Sequence, residues 1–251
     1  MSPSAGRGKS ASSGAVSGKA RTRSAANVAA NATLTAKSGK KRTKSTTGAI
    51  VELVVIIAVA LGLALGIQAF LIKPYRIPSG SMEPTLAVGQ RVLVNRIGMD
   101  LGKPHVGEIA VFHPPEGAEN QECGPVLHDV TPGGEACVQS NPKEASVNFI
   151  KRIVAGPGDE MYIKEGHVFR RAAGTSQFVA EKDSYIRPCA EPASLDCNFP
   201  KVIKVPAGHW FMMGDNRGES DDSRFWGPVP TGWVIGQAIA TYWPPDRIGI
   251  F

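Results

Sequence analysis

Three polar stretches of this chain hold residue types that could do chemistry. The first is Ser79-Gly80-Ser81, inside Ile77-Pro78-Ser79-Gly80-Ser81-Met82-Glu83-Pro84-Thr85-Leu86. Pro78 and Pro84 fix their own φ and push the preceding residue out of the α region. Gly80 permits a tight turn or the close approach of another chain. A serine held this way presents its hydroxyl in one geometry, but needs a base to become a good nucleophile. On spacing alone, either serine fills that role.

The second is Lys151, in the apolar run Val147 to Val154. Strand alternation puts Phe149, Lys151 and Ile153 on one face and Arg152 on the other. Arg152 then reaches solvent or an acid, while Lys151 sits among apolar neighbours. Burial is what a lysine base requires. An unperturbed lysine is neutral about once in 2,500 at pH 7, a handicap of roughly 4.6 kcal/mol, and desolvation removes part of it. The competing reading is a strand-edge lysine whose stem packs and whose head reaches water. The five histidines, His105, His113, His128, His167 and His209, sit in no defined motif. They read as surface or structural residues.

The third is Gly214-Asp215-Asn216-Arg217-Gly218-Glu219-Ser220-Asp221-Asp222-Ser223-Arg224, which follows an apolar strand. A hydroxyl here can orient a lysine amine, and an Asp–Arg pair can lock the loop. The alternatives are a solvated turn or a calcium loop, but its acids do not follow an EF-hand ligand pattern.

The elements that must position these groups are mostly β. Short apolar or alternating runs appear at 91–95, 108–112, 147–154, 161–163 and 209–213, punctuated by Gly, Pro, Asn and Asp. Residues 113–146 and 170–200 read as long surface excursions. Upstream, residues 53–72 carry no charge. Twenty helical residues span about 30 Å, the thickness of a bilayer core. Uniform hydrophobicity argues against a buried core helix. The preceding tail is too long for a cleaved signal peptide, so the run reads as an uncleaved anchor.

Residues 1–50 hold ten Lys/Arg and no acid, leaving 18 basic and 22 acidic residues beyond them. The formal charge of +6 therefore belongs to the tail, and the bulk of the chain is no evident nucleic-acid binder. The tail is too poor in large apolar side chains to fold alone. Its charge puts it in the cytoplasm and residues 73–251 outside. Cys123, Cys137, Cys189 and Cys197 all lie on that outer side, where disulfides persist. Four cysteines allow three connectivities, and proximity favours Cys123–Cys137 with Cys189–Cys197. No Cys-x-x-Cys pair or histidine cluster calls for a metal.

Taken in order behind an anchor, these motifs resemble the bacterial type I signal peptidases. Those are membrane-bound Ser-Lys endopeptidases that remove signal peptides from exported preproteins. The resemblance runs from about residue 50 to the C-terminus. It is carried by the anchor, residues 79–86, Val106-Gly107-Glu108-Ile109-Ala110-Val111-Phe112, Lys151-Arg152-Ile153-Val154-Ala155-Gly156-Pro157-Gly158-Asp159, and 214–224. The long basic tail with a single span resembles the enzymes of high-GC Gram-positive bacteria.

The resemblance implies Ser81 as nucleophile, Lys151 as general base, and Ser79 with the Ser81 amide as the oxyanion hole. It implies Ser220 as the hydroxyl that orients the lysine and Asp222–Arg224 as a supporting ion pair. Tyr75, Ile77, Pro78, Met82, Leu86 and Ile150 match pocket positions for small side chains of an Ala-X-Ala site. Glu108 stands where Asp is usual, and Gly218-Glu219 where Asp-Asn is common.

The implied fold is mainly β: an antiparallel catalytic domain at 73–154 and 208–251, with a smaller β subdomain inserted at 155–207. Before it come a disordered basic cytoplasmic tail at 1–47 and a transmembrane anchor helix at 48–72. The implied partners are signal-peptide-bearing preproteins and the lipid bilayer of the cell membrane, with no cofactor, metal or nucleic acid. Two other functions fit parts of the chain. A Ser-Lys self-cleaving regulator would bring a DNA-binding domain and a cleavable linker. A non-catalytic anchored β domain would not label at Ser81 with a serine-trapping probe.

Overall fold

The computed structural model describes residues 46–70, 72–96, 104–124, 134–191 and 194–251. The disorder expected of the tail concerns residues that lie almost entirely outside this set.

Helix α1, Thr46–Phe70, carries the apolar run, with Ile50 through Leu65 exposed around its circumference. It is long and apolar enough to cross a membrane. The sequence places the end of the run at Ile72. Strand β1, Ile72–Arg76, already begins there, because Ile72 pairs with Asn95 of β2, Arg91–Asn95.

The rest is mainly β, as the sequence predicts. One antiparallel sheet runs β1-β2-β11-β3-β4-β9-β10, with β12 added alongside β11. Here β3 is Ile109–Phe112, β4 Phe149–Ala155, β9 His209–Met213, β10 Val229–Pro230, β11 Val234–Trp243 and β12 Gly249–Ile250. A second sheet, ordered β7-β6-β5-β8, is made of Val179–Ala180, His167–Arg171, Glu160–Lys164 and Phe199–Lys204. Apart from α1, the α-helix among the described residues is a single turn, α2, Ser223–Trp226.

Two apolar clusters fill the structure. The larger includes Phe112, Ile153, Met161, Phe199, Phe211 and Trp226 and spans both sheets. The smaller joins Ile77, Met82, Leu86, Val92, Val94 and Val111 beneath the Ser79–Ser81 turn. Strand β4 supplies both clusters. Phe149 and Ile153 face the larger and Ile150 the smaller, as alternation gives, while at the irregularity between Ile153 and Ala155 Val154 joins the larger as well.

Two disulfides, Cys123–Cys137 and Cys189–Cys197, tie down the excursions. The described part of 113–146 is irregular but not purely a surface loop. Ala118, Cys123, Ala136 and Cys137 are buried, because the bridge and the Cys137 amide bring the segment against α2.

Candidate active site

Strand β4 sits between β3 and β9, pairing Lys151 with Ala110 and Arg152 with both Ile109 and Met213. Both faces of β4 are covered here from Lys151 to Ala155, and both basic side chains are buried. Lys151 is 4% exposed. Its Nζ donates to Ser220 Oγ at 2.9 Å. Desolvation by burial lowers its pKa to about 8, against an upward pull from Asp222 and with help from Arg224. At pH 7 such an amine is neutral about one time in ten.

Arg152 takes the acid rather than the solvent that the strand pattern left open. Its Nε and Nη2 donate to the two oxygens of Asp215 at 2.8 and 2.7 Å. Its guanidinium lies over the Tyr185 ring at 3.8 Å. Asp215 Oδ2 also accepts from Thr85 Oγ1 at 2.6 Å, which ties this buried pair to the serine turn.

The serine turn is a short 3-10 helix, Gly80–Met82, preceded by extended Ser79. Ser79 Oγ donates to Ser81 Oγ at 3.3 Å. Among the described residues no hydrogen bond joins Ser81 Oγ to Lys151 Nζ. Both nevertheless line one cleft, together with Pro78, Ser79, Gly80 and Ile150. First-turn amides lack partners within the helical turn, so this is a place where N–H groups are offered outward.

The polar loop after β9 holds the turn in place. Asn216 N donates to Ser81 O at 3.1 Å, and Asn216 Nδ2 to Gly80 O at 3.2 Å. Gly214 is pressed between the two. A Cβ there would stand 2.3 Å from Ser220 Oγ and 2.4 Å from Ser81 O. The sequence marks Gly80 as the glycine that shapes this site. At Gly80, however, a Cβ would meet only the Glu83 side chain, at 3.6 Å. It is Gly214 whose missing side chain lets the two segments close.

Asp222 and Arg224 form a buried bidentate pair, with Arg224 Nε to Asp222 Oδ1 at 2.7 Å and Nη2 to Oδ2 at 2.9 Å. Burial alone would raise the Asp222 pKa. Arg224, then Lys151 and the Gly214 amide, outweigh it and hold the carboxyl below its ordinary range. Asp222 also accepts from Gly214 N at 3.1 Å and caps α2. Arg224 Nη2 reaches Ser220 O at 3.0 Å, fixing the backbone of the residue that holds Lys151.

Of the pocket positions drawn from the sequence, Pro78 and Ile150 line the cleft. Ile77, Met82 and Leu86 lie buried in the smaller apolar cluster, with Tyr75 and Ile150 packed against it. Asn148, Phe149, Glu219 and Asp221 complete the walls. The sequence reading did not name Asn148, Glu219 and Asp221 as cleft residues. Their signal was adjacency: each lies within three residues of Lys151 or Ser220.

Residues 50–243 match the family described as signal peptidase, peptidase S26. The chain is 35% identical over 184 residues to the probable signal peptidase I-1 of Synechocystis sp. (strain ATCC 27184 / PCC 6803 / Kazusa). That match covers 73% of this chain and 77% of the relative. The probable signal peptidase I-2 of the same organism is 32% identical over 184 residues, covering 73% and 69%. The thylakoidal processing peptidase 1 of Arabidopsis thaliana is 35% identical over 179 residues, covering 71% of this chain but 44% of that protein. The chain therefore spans less than half the length of the plant relative.

Proposed function

This chain belongs to the signal peptidase family, peptidase S26, and we propose that it is a membrane-anchored serine endopeptidase. Its substrates are exported preproteins, cut after small residues of an Ala-X-Ala type site. The observation that carries this reading is Lys151: a buried amine, held by Ser220, that shares a cleft with Ser81.

In this account Ser81 turns from Ser79 toward Lys151 when substrate enters. Exposed hydroxyls change rotamer in picoseconds to nanoseconds, and catalytic hydrogen bonds often tighten only in the substrate complex. Neutral Lys151 takes the Ser81 proton as Oγ bonds to the scissile carbonyl carbon. The carbonyl oxygen becomes an oxyanion, met by Ser79 Oγ–H and the Ser81 amide. The C–N bond breaks, and the Lys151 ammonium gives its proton to the departing amine of the mature protein. The signal peptide stays behind as an ester on Ser81. Water, deprotonated by Lys151, then hydrolyses that ester and restores the serine.

The apolar helix α1 serves as the anchor, with the basic tail in the cytoplasm and the β domain outside. Ser81 follows the helix end, Phe70, by eleven residues, a chain reach of at most about 40 Å. Holding enzyme and substrate at one bilayer face raises their effective concentration. Roles for Ser79, Ser220, Asp222, Arg224 and the Pro78 and Ile150 walls belong to the same proposal.

The test is cleavage of an Ala-X-Ala preprotein by the full chain in vesicles. The wild type should release the mature protein, and Ser81→Ala should not while remaining folded. Substantial turnover by Ser81→Ala would sink the reading. A single internal cut with no added substrate, as the sole activity, would favour a self-cleaving regulator.

A further inference from the structure

The proposed reaction makes no use of the four cysteines, yet their two loops meet at one residue. The bridges Cys123–Cys137 and Cys189–Cys197 join positions 14 and 8 apart in sequence. From the first loop, Cys137 N donates to Arg224 O at 2.9 Å. From the second, Asp196 O, the residue before Cys197, accepts from Arg224 Nη1 at 2.9 Å. Just before the first loop, Gln121 Nε2 donates to Asp221 Oδ1. Arg224 is 1% exposed. Its remaining donors go to Asp222 and to Ser220 O, and Ser220 Oγ holds Lys151. Hydrogen bonds thus link Cys137 of one bridge, and Asp196 beside the other, through Arg224 and Ser220 to the amine.

We propose that the two disulfide-closed loops position Arg224, and through it Ser220 and Asp222, so that the endopeptidase reaches its working state only after both bonds have formed. The proposal rests on the endopeptidase reading given above. Its physical basis is chain entropy. An open loop regains conformations that the bridge forbids, and the backbone groups it presents lose their fixed places. Each bond forms by thiol–disulfide exchange with a disulfide-bearing oxidoreductase. Two thiols become one cystine, and the donor takes up the two electrons and two protons. Such donors work where proteins are exported, so a newly made chain would work about tenfold more slowly at pH 7 until its β domain had crossed the membrane.

The charges around Lys151 make the device measurable. Asp222, Asp221 and Asp215 favour its ammonium form and Arg224 opposes it, with Glu219 in the same cleft wall. When Arg224 loosens, Asp222 is left less compensated and the lysine holds its proton to higher pH. A merely structural role for the bridges would lower activity equally at every pH.

The experiment compares three proteins in full-length form: wild type, Cys123→Ser/Cys137→Ser, and Cys189→Ser/Cys197→Ser. Preprotein cleavage is followed from pH 6 to 10, with near-ultraviolet circular dichroism reporting the fold. Each open-loop variant should keep its fold and its KM. The acid limb of kcat should move up by about one pH unit, so that kcat at pH 7 falls about tenfold. The same shift should appear in folded wild type whose bridges are opened by reductant and alkylated, which covers a variant that does not fold. An unshifted limb in protein shown by mass to have open bridges would overturn the proposal. So would a uniform loss of kcat across the pH range. Failure of the oxidised wild type to cleave would count against the endopeptidase reading instead.

Discussion

Lys151 Nζ and Ser220 Oγ lie 2.9 Å apart, both buried, although they are 69 positions apart in sequence. The hydroxyl gives the amine a fixed partner without giving it a charge. A carboxylate in that place would favour the ammonium form, and an apolar side chain would leave the amine unaimed. The Asp222 charge is instead shared with Arg224.

Replacing Ser220 with Ala should leave Lys151 buried but free to change rotamer. Misplacing a general base commonly costs a factor of about 10² to 10⁴, and here kcat should fall about 10²-fold with KM nearly unchanged. Steady-state kinetics on a preprotein would check this. A rise in KM at constant kcat would instead place Ser220 in substrate binding.

Lys151→Met should abolish cleavage without destabilising the fold at neutral pH. The unfolded lysine keeps its proton up to about 10.5 and the folded one only to about 8. The penalty on the folded state is therefore complete below pH 8, about 3 kcal/mol, and is relieved as pH rises from 8 to 10.5. Methionine carries no such penalty. Thermal unfolding at pH 7 should show the variant at or above wild type, with the gap narrowing toward pH 10. A large drop at pH 7 would mean that the ammonium is stabilised in the folded protein.

Gly214→Ala should harm both stability and catalysis. The new methyl group would collide with Ser220 Oγ and with Ser81 O, so the serine turn and the lysine-orienting residue must separate. Overpacking of this kind costs about 1–3 kcal/mol, and a shift of about 1 Å in a reacting group can cost about 10²-fold in rate. Gly80→Ala, by contrast, should leave the melting temperature nearly unchanged, since its Cβ meets only ordinary contacts. Comparing the two melting temperatures tests which glycine shapes the turn.

The sequence held much of this arrangement because several signals are local. Residues 91–95 and 209–213 become β2 and β9 without change of boundary. Lys151 stands out because, with Arg152 turned to the opposite face, it is the charge that alternation places among apolar neighbours. Other features depend on partners far along the chain. The strand pattern shows that Arg152 needs an acid or water, but not that Asp215, 63 residues on, supplies it. Strand β11, the central partner of β2 and β3, went unmarked. Its Val-Ile-Gly-Gln-Ala-Ile-Ala-Thr run is rich in small and polar residues, and pairing rather than propensity makes it a strand.

The pocket positions show the same limit. Ile77, Met82 and Leu86 are apolar and adjacent to Ser81, so they suit a substrate pocket or a core equally well. Only the packing of β2, β3 and β11 around them puts them in the smaller cluster. The likeness to the enzymes of high-GC Gram-positive bacteria rests on the basic tail and the single apolar span.

Lys151 activates Ser81 in the proposed reaction. The most direct test is the rate at which a serine-trapping acylating probe labels Ser81 as a function of pH. Wild type should label with a midpoint near pH 8, matching the lowered lysine, and Lys151→Ala should label at least about 10²-fold more slowly. Equal labelling rates in the two proteins, at any pH between 6 and 9, would contradict the account.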